Sequence, residues 1–158
     1  MQIHLTKLTD DRHRLEIVRA DGSRVGVTLE TRRLLVLDLL HLAVEGEARL
    51  EAGFWGCLAR GKTLAEMNDR TGGAMREYTA EMMVIEQIVG GLTGATKGGE
   101  PAAVLAGLAS WAGATGRTLP AWLDEPFVTR VQQRMRALVG HWRATRHGQT
   151  MTVSWPVQ

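Results

Sequence analysis

The sequence has a single cysteine, Cys57, among 158 residues, so no disulfide can form within the chain. Nothing in it therefore points to an oxidising compartment. It also lacks the roughly 18 consecutive apolar residues that a membrane-spanning helix requires. The first residues, Met1–Lys7, show neither the basic start nor the apolar run of a secretory signal. We therefore expect a cytoplasmic protein with no membrane partner.

Charge of one sign is not concentrated in any segment of the chain. Lysine and arginine total 19, aspartate and glutamate total 17, and no run of five like charges occurs. Sixteen of the 19 basic residues are arginine, and this small surplus of strong bases gives a pI of about 9.1 without a basic tract. Nucleic acid is therefore not a partner that the composition favours.

Both ends of the chain carry the alternation of apolar and polar residues that is typical of β-strands. The first thirty residues contain three such stretches, and Asp21-Gly22 before the third favours a tight hairpin because both positions tolerate positive φ. A fourth stretch covers Met151–Trp155. We expect it to join the N-terminal sheet, because a lone strand cannot satisfy its own backbone hydrogen bonds.

The residues between these strands have helical spacing and helical caps. Thr63 and Glu66 have the spacing of a capping box, and Asp124 is placed to cap a last helix with Pro126 in its first turn. Besides the short helix at this box, the predicted helices cover about residues 30–47, 51–60, 74–92, 100–116 and 124–146. We predict one α+β domain over residues 1–158, in which a small antiparallel sheet of three N-terminal strands and one C-terminal strand packs on a bundle of about five helices.

The first of these helices is apolar nearly all round, which is typical of a buried helix. Against that background Asp38, His41 and Glu45 lie on one stripe, and Arg49 continues it. A histidine with a carboxylate one turn away on either side can act as a general base, or it can ligate a divalent metal ion. We therefore take His41, Asp38 and Glu45 as candidate catalytic residues.

Two interpretations of this stripe remain open. It can be the solvated edge of an otherwise buried helix, with Glu45–Arg49 and Asp38–His41 as surface pairs, and the narrow continuous arc favours this. It can instead line a pocket that binds a small molecule. The spacing alone does not decide between them, because it is far less specific than a two-histidine zinc motif on one helix.

The helix predicted over residues 74–92 offers a further carboxylate. Glu81 falls among its apolar residues, and a carboxylate that faces inward needs a partner because an unpaired buried charge is costly. His41 is a suitable partner, which gives a candidate metal site of His41, Glu45 and Glu81. The alternatives are a local ion pair between Glu81 and an arginine, or a rotation of the helix that exposes Glu81 to solvent. One imidazole with carboxylates would favour harder divalent ions over tight zinc binding.

Two segments carry a resemblance to a known group of proteins. The runs Leu37–Glu45 and Gly140–Thr145 resemble the corresponding segments of small uncharacterised bacterial proteins of similar length. In that family the helix carries a His-Asp-x-x-His core, and this chain has Leu37 where the first histidine would stand. The resemblance extends over most of the chain. The resemblance implies no activity. Of the two histidines that would form a metal-binding pair in that family, it implies only the second, His41.

Three other features have ordinary explanations. Cys57 has no base beside it in the sequence, so it is better explained as a small buried residue than as a nucleophile. The glycine-rich segment over residues 93–99 lacks the spacing of a phosphate-binding loop and is predicted to be a mobile connector or lid. Ala137, Gly140 and Ala144 form a ridge of small residues, which predicts close packing against another helix of the fold or of a second copy.

Two functions of different classes are consistent with these features. The first is a small enzyme of the hydrolase or lyase type, or a ligand-binding protein, with a pocket around His41 that holds a small molecule and, in one version, a divalent metal ion. The second is a non-catalytic interaction module that forms a homodimer and has no active site. The sequence does not identify a substrate.

Overall fold

A computed structural model describes residues 1–68, 80–93 and 98–155 of the chain. Four antiparallel strands are β1 Gln2–Lys7, β2 Arg12–Val18, β3 Arg24–Glu30 and β4 Thr150–Ser154, and they form one sheet in the order β3-β2-β1-β4. The pairing of β4 with β1 confirms the predicted return of the chain to its N-terminal sheet.

The sheet buries one face and exposes the other, because successive side chains of a strand point to opposite sides. On the exposed face polar side chains bond across the strands, as Nδ1 of His4 does with the hydroxyl of Thr152 at 3.0 Å. The buried face carries the alternating apolar residues, among them Ile3, Leu5, Leu15, Ile17 and Met151.

In the described residues between β3 and β4 all regular secondary structure is helical, as predicted. The chain leaves β3 through a π-helical turn, Thr31–Leu35, which continues directly into α1, Val36–Ala48. The other described helices are α2 Phe54–Ala59, α3 Leu64–Asn68, α4 Ala80–Leu92, α5 Pro101–Ala114 and α6 Glu125–Ala144. The fold is therefore α+β. The predicted first part of α4, residues 74–79, lies outside the described residues.

Local capping residues begin two of these helices as the sequence predicts. Oδ1 of Asp124 accepts a hydrogen bond from the amide of Phe127 at 2.7 Å. The carboxylate of Glu66 accepts from the amide of Thr63 at 2.6 Å, and the hydroxyl of Thr63 accepts from the amide of Glu66 at 3.1 Å. Both N-termini thus satisfy backbone donors that have no partner within the helix.

The helix α1 lies within the hydrophobic core, in contact with α2, α4 and α6. Eight of its residues are buried, which agrees with its nearly continuous apolar sequence. The buried side chains of the sheet and of these helices form one contiguous cluster. None of the described helices combines the length and the apolar character that crossing a membrane requires.

Candidate functional site

The polar stripe of α1 lies mostly inside the protein. His41 is 6% exposed and Glu45 is 0% exposed, whereas Asp38 is half-buried and Arg49 is exposed. The interpretation of the stripe as a solvated edge is therefore wrong for His41 and Glu45. Among the described residues neither expected surface pair forms: Glu45 bonds to His41, and Arg49 lies beyond the last residue of α1.

Glu45 is held by three hydrogen-bond donors. Its Oε1 accepts from the amide of Phe54 at 2.9 Å and from Nδ1 of His41 at 3.1 Å, and its Oε2 accepts from the amide of Trp55 at 2.9 Å. The two amides begin α2, whose N-cap is Gly53, a residue without a side chain to satisfy them. The carboxylate of α1 thus caps α2 from a distance through charge-assisted hydrogen bonds.

The glycine at position 53 makes this approach feasible. A Cβ atom built there would overlap the carboxylate of Glu45. The carboxylate therefore occupies the space that any other residue at the N-cap of α2 would fill.

The imidazole of His41 is oriented from both sides. Because an ionised Glu45 can only accept hydrogen bonds, Nδ1 carries the proton. The other nitrogen, Nε2, lies 3.5 Å from Oε2 of Glu86 on α4. The side chain of Glu86 is 41% exposed, so the carboxylate beside this edge of the ring reaches solvent, whereas the ring itself is buried.

Two effects oppose each other in the pKa of His41. Burial lowers the pKa, whereas the hydrogen bond to Glu45 and the charges of Glu86, Glu45 and Asp38 raise it. The raising effects together prevail, so the pKa of the imidazole lies above that of an ordinary histidine. The ring therefore holds its second proton further into the neutral range than a solvated histidine does.

Asp38, one turn before His41, lies in a different environment from Glu45. Its Oδ2 is buried and has no hydrogen-bond partner among the described residues. Burial raises the pKa of this carboxyl to about 7, and the charge of His41 opposes the shift only in part. The indole of Trp55 donates to the backbone carbonyl of Asp38 at 3.2 Å and makes no bond to its carboxyl group. The site thus contains two neighbouring groups, Asp38 and His41, each of which can gain or lose a proton near neutral pH.

The predicted metal site of His41, Glu45 and Glu81 stays a prediction. The side chain of Glu81 lies outside the described part of the chain. Glu45 already accepts three hydrogen bonds on its two oxygens, so it is poorly placed to ligate a cation as well. Within the residues that the structure describes, no three His, Cys, Asp or Glu side chains are grouped so that they could hold a metal ion.

Two parts of the site were missed by sequence reasoning, namely Glu86 and the first amides of α2. Glu86 lies four residues after Met82 and three before Val89, both of which are buried, so its place at the border of the apolar face of α4 was the available signal. For α2 the local sequence offered no signal, because its N-cap is Gly53 and its amides are capped by Glu45 on another element.

The remaining sequence features do not add to this site. Cys57 is buried, as predicted, and burial raises the pKa of its thiol, which disfavours a nucleophilic thiolate. Residues 94–97 of the predicted lid lie outside the described residues. The ridge of Ala137, Gly140 and Ala144 is exposed, and a Cβ at Gly140 would meet no atom within 4 Å, so none of the described helices packs on it. The alternative, that the ridge packs on a second copy of the chain, stays a prediction.

Comparisons of the chain with protein-family models, with curated proteins and with solved structures find no match. Any assignment of function therefore depends on the geometry of the site.

Proposed function

We propose that this protein is a small enzyme of the hydrolase or lyase type, in which His41 is the general acid–base for a small ligand that reaches Nε2 beside Glu86. One arrangement carries the proposal: Glu45, itself held by two backbone amides, fixes Nδ1 and leaves Nε2 facing a half-exposed carboxylate. General acid–base catalysis needs an imidazole oriented in this way. In this proposal His41 is the catalytic residue and Glu45 is a positioning residue that acts through it.

The charges of the cluster indicate which proton transfer it favours. The raised pKa of His41 suits the ring to donate a proton to a leaving group at neutral pH. Asp38, with a pKa of about 7, supplies a second group that can accept or donate a proton in the same range. The three carboxyl groups outnumber the single imidazole, so the cluster favours a ligand that presents hydrogen-bond donors or a positive charge.

Hydrolysis of glycine ethyl ester by the purified protein tests this role of His41, because this ester carries a cationic amine and its leaving alkoxide must take up a proton. In His41→Gln the rate should fall at least about tenfold, since general acid–base catalysis contributes about 10²–10⁴-fold. The matched control is His147→Gln, which replaces an exposed histidine that pairs with Asp10 at 3.0 Å and should keep the wild-type rate. Equal rates for the wild-type protein and a folded His41→Gln would overturn the proposal.

A second variant covers the case in which His41→Gln does not fold. Glu86→Gln removes one of the charges that raise the pKa of His41, at a half-exposed position where the fold should tolerate the change. The pH–rate profile of this variant should shift to lower pH. A profile that coincides with that of the wild-type protein would contradict the role of His41.

A second candidate function, a homodimeric interaction module, is favoured by the surface of α5. Its 14 residues include no charged side chain, yet only Leu108 and Ala112 are buried. A surface helix normally carries charged residues on its exposed side, so an uncharged exposed helix is typical of a surface that a partner covers. We propose a second copy of this chain as that partner.

The oligomeric state in solution tests this second candidate. Light scattering after size exclusion should show a dimer, and Ala106→Glu on the exposed side of α5 should dissociate it. Ala137→Glu introduces the same charge on the exposed ridge of α6 and serves as the comparison. A monomeric wild-type protein would remove this candidate, and dissociation by Ala137→Glu alone would move the contact to α6.

We further propose a cytoplasmic location, which Cys57 supports. A chain that has one cysteine forms no internal disulfide and gains nothing from an oxidising compartment.

A further inference from the structure

We propose that a cavity at the C-terminal ends of α1 and α2 binds a small organic anion, a phosphate or carboxylate carried on an apolar body. The cavity has a volume of about 530 Å³, which is within the range of small-molecule sites. Of the candidate site described above only Glu45 borders it, and the carboxylate of Glu45 is committed to His41 and to the amides of α2. This inference is independent of the proposed enzyme function.

Three arginines from distant parts of the sequence line this cavity. Arg19 follows β2, Arg49 follows α1 and Arg60 follows α2. The other acidic residue at the cavity is Glu51, whose side chain is 89% exposed and lies 4.0 Å from Arg60. The cationic groups therefore outnumber the acidic groups that face the cavity, and guanidinium groups suit phosphate and carboxylate oxygens in particular.

Two of these arginines are held in place by backbone carbonyls. Arg19 donates to the carbonyls of Leu58 at 2.9 Å and of Lys62 at 2.7 Å. Arg60 donates to the carbonyl of Glu51. The bonds of Arg19 satisfy carbonyls near the end of α2, which would otherwise repel an anion, and the bonds of both arginines fix their guanidinium groups at the wall of the cavity.

Arg49 is the arginine that remains available to a ligand. Its side chain is exposed and forms no hydrogen bond or ion pair with any residue that the structure describes. Its backbone has φ 53° and ψ 46°, the left-handed conformation, and it is the only non-glycine residue with positive φ among residues 1–68, 80–93 and 98–155. Glycine is the residue that this position at the end of a helix favours. The presence of arginine there indicates a use for its side chain.

The rest of the wall is apolar. Leu50 and Trp155 are buried residues that border the cavity, and Ala59 lies beside them. Inorganic phosphate would leave this surface uncovered. An anion with an aromatic or short aliphatic body would bury it, and this is why we assign the site to organic anions.

Titration calorimetry of the full chain with phenyl phosphate and with benzoate tests the proposal. At least one of the two should bind saturably, and the one that binds identifies the anionic group. Inorganic phosphate, which lacks the apolar body, should bind at least about tenfold more weakly. Saturable binding of neither organic anion would overturn the proposal, and so would equally tight binding of inorganic phosphate.

Arg49→Gly separates a ligand-binding role of this residue from a structural one. The variant relieves the left-handed backbone, so its Tm should rise by a few degrees, while its affinity for the organic anion should fall at least about tenfold. Arg146→Gln, which replaces another exposed arginine, is the matched control and should bind as the wild-type protein does. Unchanged affinity in Arg49→Gly would overturn the proposal. Hydrolysis that depends on His41 should be unaffected, so the two proposals can fail separately.

Discussion

Asp38 and Glu45 lie on the same face of α1 but in opposite environments. Glu45 is fully buried and accepts three hydrogen bonds, which compensate the loss of its hydration. Asp38 has a buried oxygen that bonds to no residue in the described part of the chain, and burial raises the pKa of this carboxyl to about 7. Burial of a carboxylate is therefore tolerated in two ways at this site, by complete hydrogen bonding and by retention of a proton.

The raised pKa of Asp38 predicts how its replacement changes stability with pH. The pKa of this group in the folded protein is about 7, above the unfolded value of 3.8, so its contribution is fully present below pH 3.8 and is lost as the pH rises to 7. Asp38→Asn should therefore be more stable than the wild-type protein above pH 7, by about 2–4 kcal/mol, and the difference should shrink towards pH 5. Urea unfolding at pH 5 and pH 8 measures this. The same difference at both values would show that burial does not perturb this carboxyl.

Replacement of Gly53 tests the close packing of the carboxylate of Glu45. In Gly53→Ala the new methyl group would displace that carboxylate and break its three bonds, so the free energy of unfolding should fall by about 3 kcal/mol or more. Gly140→Ala is the matched control. Its methyl group meets no atom within 4 Å, and alanine should stabilise α6 by up to about 1 kcal/mol. We therefore expect the free energy of unfolding to fall in Gly53→Ala and to rise in Gly140→Ala. Equal changes in the two variants would refute the account of Gly53.

At the scale of the helices, a helix start could be predicted from the sequence where the capping residue lies beside it in the chain. A start that is capped by a distant residue was predicted less accurately. Asp124 caps α6 from within three residues, and the sequence alone located that start. The predicted second helix begins at residue 51, whereas α2 begins at Phe54, because its cap is Glu45 on another element. A cap supplied by a distant residue leaves no pattern in the local sequence.

The two kinds of cap should differ in their energetic contribution. Asp124→Ala removes a solvent-exposed local cap and should cost about 1 kcal/mol. Glu45→Gln is nearly isosteric but places an amide donor against backbone donors in a buried site, so it should cost about 2–4 kcal/mol. Chemical denaturation of both variants compares the two costs. A smaller cost for Glu45→Gln than for Asp124→Ala would contradict the role of Glu45 as the cap of α2.

At the scale of the whole molecule, the fold class followed from the sequence but the contents of the site did so only in part. Alternation at both ends of the chain was sufficient to predict the sheet, and helical spacing placed His41 and Glu45 on one stripe of α1. Which residue of α4 meets His41 depends on the rotation of that helix in the core. Periodicity does not fix this rotation to within one residue, so Glu86 was not selected.

The central claim is that Glu45 orients the imidazole of His41 for proton transfer. A measurement of which ring nitrogens carry a proton tests this claim most directly. A ¹⁵N nuclear magnetic resonance titration follows the two ring nitrogens separately. We predict that Nδ1 stays protonated throughout, that Nε2 titrates with a pKa above the ordinary value of 6.5, and that Glu45→Gln lowers this pKa. A pKa at or below 6.5 in the wild-type protein, or a neutral ring protonated at Nε2, would contradict the account.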